Sequence, residues 1–402
     1  MGHVSVSQAG TVIKRKRIPE IDFWRGFALI VILVDHVPWN GLDYLTPRNF
    51  GFSDAAEAFV FLSGVSVSLA YAPMLQKAGF GRLVQRCATR AGKLYLVQIA
   101  MVACSIAIPL AVATVVGDQG IEVAQGISRF VASPVSSIVS AAALAYMPPY
   151  SGILALYVVL MLWAPVVIFL ASRNPALALF ASVVVYVAGR GRVFDDGDGW
   201  TFNPFAWQLL FAIGVICALK WRHGLPRPQG PLVVLALAII AGAAILSMKA
   251  MGLRATALAY LDLDKHDLGI MRLTHFLALA CVVSAVAIVQ PWTTYMSRIV
   301  GSRMGQSFQG MGRNSLLFFA LGSVASTGGR SLMAAARSLG APHLSVHVIG
   351  LVYTAAAVTG MFVLVNRMNR TASRPRVSTE SRNVAPPMNA LRAEAGEGAA
   401  FP

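Results

Sequence analysis

The chain has 402 residues, 56% of them hydrophobic and only 12% charged, with a mean hydropathy of +0.65. This excludes an ordinary water-soluble domain and any large extramembrane domain, and it predicts an all-α, polytopic integral membrane protein. The net charge of +16 is spread over loops, so topology and anionic lipid headgroups account for it, and a nucleic-acid partner is not expected.

Residues 1–18 are polar and basic and read as a disordered tail without a cleavable signal; a transmembrane domain follows over 19–370, and a second disordered tail over 371–402. About ten apolar segments count as spans, those near 176 and 314 being short: 22–38, 55–71, 94–116, 150–170, 176–189, 204–220, 231–248, 272–290, 314–328 and 343–365. The apolar part of 127–147 reads as re-entrant or interfacial. If the N-terminus is cytoplasmic, 22 of the 33 Lys and Arg fall on inner segments, the positive-inside signature, which puts both termini in the cytoplasm. Most of the acids fall at or beyond the outer face. The four cysteines are scattered without CxxC spacing, so neither a disulfide nor a metal site is expected.

The first span carries Arg25 near one end and Asp35-His36 at the other. Ionisable groups inside a membrane helix are costly and seldom persist without a partner or a task. Arg25 and His36 are eleven positions apart, about 20° past three full turns, so both project from one face roughly 16 Å apart along the axis. Asp22 lies near the same face. One reading is the wall of a polar cavity; the plainer one is an Arg that snorkels to headgroups and a His at a helix end stopped by Pro38.

Beyond a short outer loop, Asp54 or Ser53 can cap the second span, with Glu57 in its first turn. Glu57 therefore has two readings, a capping acid or a carboxylate that orients His36; Asp35 is the other candidate for that supporting role. Ser63, Gly64, Ser66 and Ser68 predict close packing, by default on the first span. Arg82, Arg86 and Arg90 recur every four residues, forming a cationic ridge that suits lipid headgroups or a polyphosphate. Farther on, Asp195-Asp196-Gly197-Asp198-Gly199-Trp200 is an acidic, aromatic outer loop, either a solvated turn or a sugar-recognition element with Trp200 as the stacking surface. Its partial likeness to a calcium loop lacks the terminal Glu. Arg272 and His275, at i and i+3, either line the cavity with His36 or pair structurally, and Asn314 and Ser315 can cap the ninth span.

Arg25 and His36 at this spacing, the run Glu57-Ala58-Phe59-Val60-Phe61-Leu62-Ser63-Gly64 and the Arg-rich entry to the third span resemble the acyltransferase-3 superfamily of membrane acyltransferases. Asp22-Phe23-Trp24-Arg25-Gly26, residues 48–64 from Arg48 to Gly64, Asn203-Pro204-Phe205-Ala206-Trp207-Gln208, Arg272-Leu273-Thr274-His275 and Gly312-Arg313-Asn314-Ser315 resemble the OpgC family, over about 19–368. That resemblance implies transfer of an acyl group, succinyl in that family, from cytoplasmic acyl-CoA to a hydroxyl of a periplasmic glucan. It implies His36 as base, Arg25, Arg86 and Arg90 on the donor side, no permanently bound cofactor, and residence in the bacterial inner membrane; Arg82 joins the donor-side candidates by its place on the same ridge. Asp195, Asp196, Trp200, Arg272 and His275 are the acceptor-side candidates. Gly152 and Ala155 depart from the family pattern, which has an acid and a proline there. The competing classes are a transporter or flippase of a glycan or acyl donor, and an acetyltransferase acting on another envelope polysaccharide; against the former, no internal repeat is evident.

Overall fold

A computed structural model describes residues 18–117, 120, 126–190, 200–221, 230–253, 261–287, 289 and 291–373. Among these the regular structure is entirely helical. The helices are α1 Pro19–His36, α2 Ala55–Val116, α3 Ser128–Ala132, α4 Pro134–Ala142, α5 Gly152–Arg173, α6 Pro175–Gly189 and α7 Pro204–Trp221. They continue with α8 Gly230–Leu253, α9 Ile270–Val286, α10 Trp292–Gly301, α11 Arg303–Arg313, α12 Ser315–Ser338 and α13 His343–Ser373. The tails expected at 1–18 and 371–402 fall almost wholly outside the described residues.

Each of the ten apolar segments overlaps a helix, but they differ in reach. Ala55–Val116, Gly152–Arg173, Ser315–Ser338 and His343–Thr371 are long and apolar enough to cross a membrane, while α6, α7, α9 and the Gly230–Ile245 part of α8 supply shorter apolar helices. Outward-facing apolar side chains such as Leu96, Val115, Phe180 and Val352 suit contact with lipid rather than water. The chain is thus a helical membrane protein.

The segments 55–71 and 94–116 are not separate. The basic stretch between them is itself helical, so α2 runs on for 62 residues, with a kink at Gly79, whose φ of 79° a side-chain-bearing residue rarely adopts. Its start is secured by a capping box, in which the Asp54 carboxylate accepts from Ala56 N–H at 2.8 Å and Glu57 accepts from the Asp54 N–H at 2.8 Å. Residues 127–147 form the short helices α3 and α4.

Small residues let backbones meet. A side chain at Gly26 would overlap the Phe308 carbonyl of α11, and one at Gly312 would overlap the Asp22 carbonyl of α1. Gly64 does not face the first span, as expected, but α7: it abuts Phe211 O, and Gly214 of α7 in turn abuts Phe61 O. The core between α2, α5, α7 and α12 is filled by Leu156, Leu160, Trp207, Phe211 and Phe318, all fully buried.

Candidate active site

His36 ends α1 and lines a cavity of about 570 Å³ walled by α1, the start of α2, the turn before α5, α12 and the loops around Trp200 and Lys265. Its Nδ1 lies 2.5 Å from the Ile32 carbonyl one turn back. A carbonyl only accepts, so the proton sits on Nδ1, and Nε2 keeps its lone pair as a general base requires. The orienting group is therefore backbone, not Asp35 or Glu57. Asp35 also lines the cavity, but it follows the outer loop: Thr46 Oγ1 donates to its carboxylate at 2.5 Å and Arg48 Nη1 donates to its carbonyl at 3.0 Å. Asn40 folds that loop, donating to Val34 O and Val37 O and accepting from Leu42 N–H and Asp43 N–H.

Glu57 is fully buried behind the cavity wall. Besides capping α2, it receives Arg272 Nε at 2.8 Å, and the same guanidinium reaches Asp54 at 3.1 Å. Lys265 Nζ donates to Asp54 Oδ2 at 2.6 Å, closing a network of two acids and two cations. Burial alone would raise the Asp54 pKa; Lys265 and Arg272 outweigh it and hold this carboxyl below the usual range. Asp54 and Lys265 line the cavity, whereas Glu57 and Arg272 stand behind it. His275 is buried against the outer loop, with Nδ1 accepting from the Ser53 N–H at 3.3 Å and lying 2.8 Å from Ser53 Oγ; a side chain at Gly51 would overlap its ring. Arg272 and His275 thus brace the site instead of lining it.

Arg25 faces elsewhere. Its Nη2 donates to Ser315 Oγ at 2.6 Å, and it borders a second cavity, about 70 Å³, with Arg90, Ser63, Ser66 and Tyr157. Ile153 and Phe319 line both cavities, so an apolar neck, not one continuous polar passage, lies between His36 and Arg25. Phe319 stacks on Phe59 with centroids 6.0 Å apart. Arg82 and Arg86 are exposed on α2 and line neither cavity; of the ridge, only Arg90 reaches in.

The motif blocks dock on one another. Arg313 approaches the Asp22 carboxylate at 3.6 Å, beside the Gly312 contact and the Arg25–Ser315 bond, so the 312–315 block seats the 22–26 block. Asn203 and Trp207 receive the loop that presents Lys265: Asn203 N–H donates to His266 O at 2.9 Å, and Trp207 Nε1 donates to Lys265 O at 3.0 Å. The family model described as OpgC protein matches residues 17–368. The chain belongs to the OpgC family. No curated protein and no solved structure matches it. Membership in the OpgC family points to a transferase-type, glucan-modifying enzyme.

Against that OpgC background, the structure gathers His36, Asp35 and Trp200 at one cavity and Arg25 with Arg90 at the other. Asp195 and Asp196 lie outside the described residues. Gly152 lines the larger cavity beside Thr201, and Ala155 is fully buried. Sequence reasoning missed Lys265, Tyr150 and the neck residues Ile153 and Phe319, and it named Arg48 only as part of a motif block. A cation within the Asp-rich loop 262–267 was a signal for Lys265; for an aliphatic or aromatic neck residue no sequence signal exists.

Proposed function

We propose that this protein is an O-acyltransferase of the bacterial inner membrane that moves a succinyl group from cytoplasmic succinyl-CoA to a hydroxyl of a periplasmic glucan. About ten spans, with cytoplasmic termini taken from the Lys and Arg bias, belong to this reading, with the Arg25–Arg90 cavity toward the donor and the His36 cavity toward the acceptor. The observation that carries the reading is His36 at the wall of a cavity of about 570 Å³, with its Nδ1 proton committed to Ile32 O. In the reaction, Nε2 takes the proton of the acceptor hydroxyl as its oxygen bonds to the thioester carbonyl carbon. The carbon–sulfur bond then breaks, and the proton passes to the departing thiolate. Arg25 and Arg90 hold the anionic donor, because guanidinium pairs bidentately with phosphate. The thioester reaches His36 through the neck at Ile153 and Phe319.

The test uses purified protein in lipid nanodiscs with radiolabelled succinyl-CoA and a glucan oligosaccharide. Label on the glucan supports an acyltransferase, labelling from acetyl-CoA alone favours an acetyltransferase, and glycan or donor movement into sealed proteoliposomes of the same protein without acylation favours a flippase. His36→Ala should lower kcat by about 10³-fold or more with donor binding intact. An H36A variant that retains full kcat removes His36 from the mechanism.

A further inference from the structure

The chain enters α5 through Pro148-Pro149-Tyr150-Ser151, where Ser151 N–H donates to Pro148 O at 3.2 Å and Ser151 Oγ donates to the same carbonyl at 2.6 Å. Proline at the second turn position and a positive φ at the third are the marks of a type II turn, whose third position favours Gly or Asn. This chain has Tyr there, at φ 68°. A left-handed backbone is unfavourable for an aromatic residue and persists only where its surroundings enforce it, so a reason for the ring is to be sought in what it touches. It lines the larger cavity, and its centroid is 4.2 Å from that of His36 at an interplanar angle of 79°. Arg330 Cζ lies over the Tyr150 ring, 4.6 Å from its centroid. The terminal torsion of a His side chain is broad and roughly two-fold, so the Nδ1–Ile32 contact needs a second surface to hold the imidazole plane.

We infer that Tyr150 is a positioning residue for His36: its ring, held in a strained turn and backed by Arg330, fixes the imidazole so that Nε2 addresses the cavity. The inference rests on His36 being the base. A flexible loop residue in place of the ring lets the imidazole swing, and a misplacement of about 1 Å costs about 10²-fold in rate.

The test compares Tyr150→Phe, Tyr150→Asn and Tyr150→Ala in the same nanodisc assay, alongside thermal unfolding. Y150F keeps the ring and should keep kcat. Y150N and Y150A should both lose about 10²-fold in kcat with KM for donor and glucan within about threefold of wild type. Stability should follow a different order, with Y150N melting above Y150A because Asn tolerates a positive φ and Ala does not. Activity that falls in step with melting temperature, or a Y150N variant as active as wild type, overturns the inference. Wild type that acylates nothing sinks the transferase reading instead, so the two failures are distinguishable.

Discussion

Arg272→Met tests whether Glu57 belongs to the scaffold or to the chemistry. The substitution preserves length and apolar stem but removes the cation shared by Glu57 and Asp54. Glu57 is 0% exposed, so the carboxylate left behind is buried without its ion partner. Truncating one side of such a pair costs about 3–5 kcal/mol, roughly two to four powers of ten in the unfolding equilibrium. Glu57→Gln keeps the capping box, since Gln serves at that position too, and removes the charge. The double variant R272M/E57Q should therefore be more stable than R272M by about 1 kcal/mol or more, a coupling that a double-mutant cycle reads directly. Denaturant or thermal unfolding in detergent measures the stabilities, and the acyl-transfer assay on the folded fraction should give kcat within severalfold of wild type for E57Q. R272M as stable as wild type refutes the buried-network argument. A 10²-fold drop in kcat for E57Q at unchanged stability returns Glu57 to the mechanism.

Two further outcomes follow from the same geometry. Lys265 and Arg272 depress the folded-state pKa of Asp54 below its unfolded value of about 4, so its stabilisation is present above that value and is lost as pH falls through the folded pKa. The unfolding midpoint should drop on acidification from about pH 6 to about pH 3, and less steeply in Asp54→Asn; equal slopes count against the Asp54 assignment. Gly26→Ala drives a methyl group into the Phe308 carbonyl and should cost about 1–3 kcal/mol or more by prising α1 from α11; a neutral G26A contradicts that contact.

Short-range chemistry was legible without coordinates. Apolar runs of membrane length can satisfy their backbone groups only within helices, so hydropathy located the apolar helices, including those later joined across Gly79, but not the more polar α10 and α11. The Asp54–Glu57 capping box is likewise a three-residue relation, and the alignment of Arg25 with His36 follows from helix pitch alone. What pitch could not say is what the shared face looks onto. Arg25 and His36 open into different cavities because Ile153 and Phe319, from α5 and α12, converge between them.

The amino-acid sequence by itself therefore determined a helical membrane protein of the OpgC family and singled out His36 and Arg25. Only the tertiary structure decided that Glu57 answers to Arg272, 215 positions away, and that Lys265 and Tyr150 stand at the cavity. The physical reason is one of range. Helix period and capping act within a few residues, whereas a buried charge takes whichever partner packing brings within about 3 Å, and that depends on how distant helices meet at their glycines.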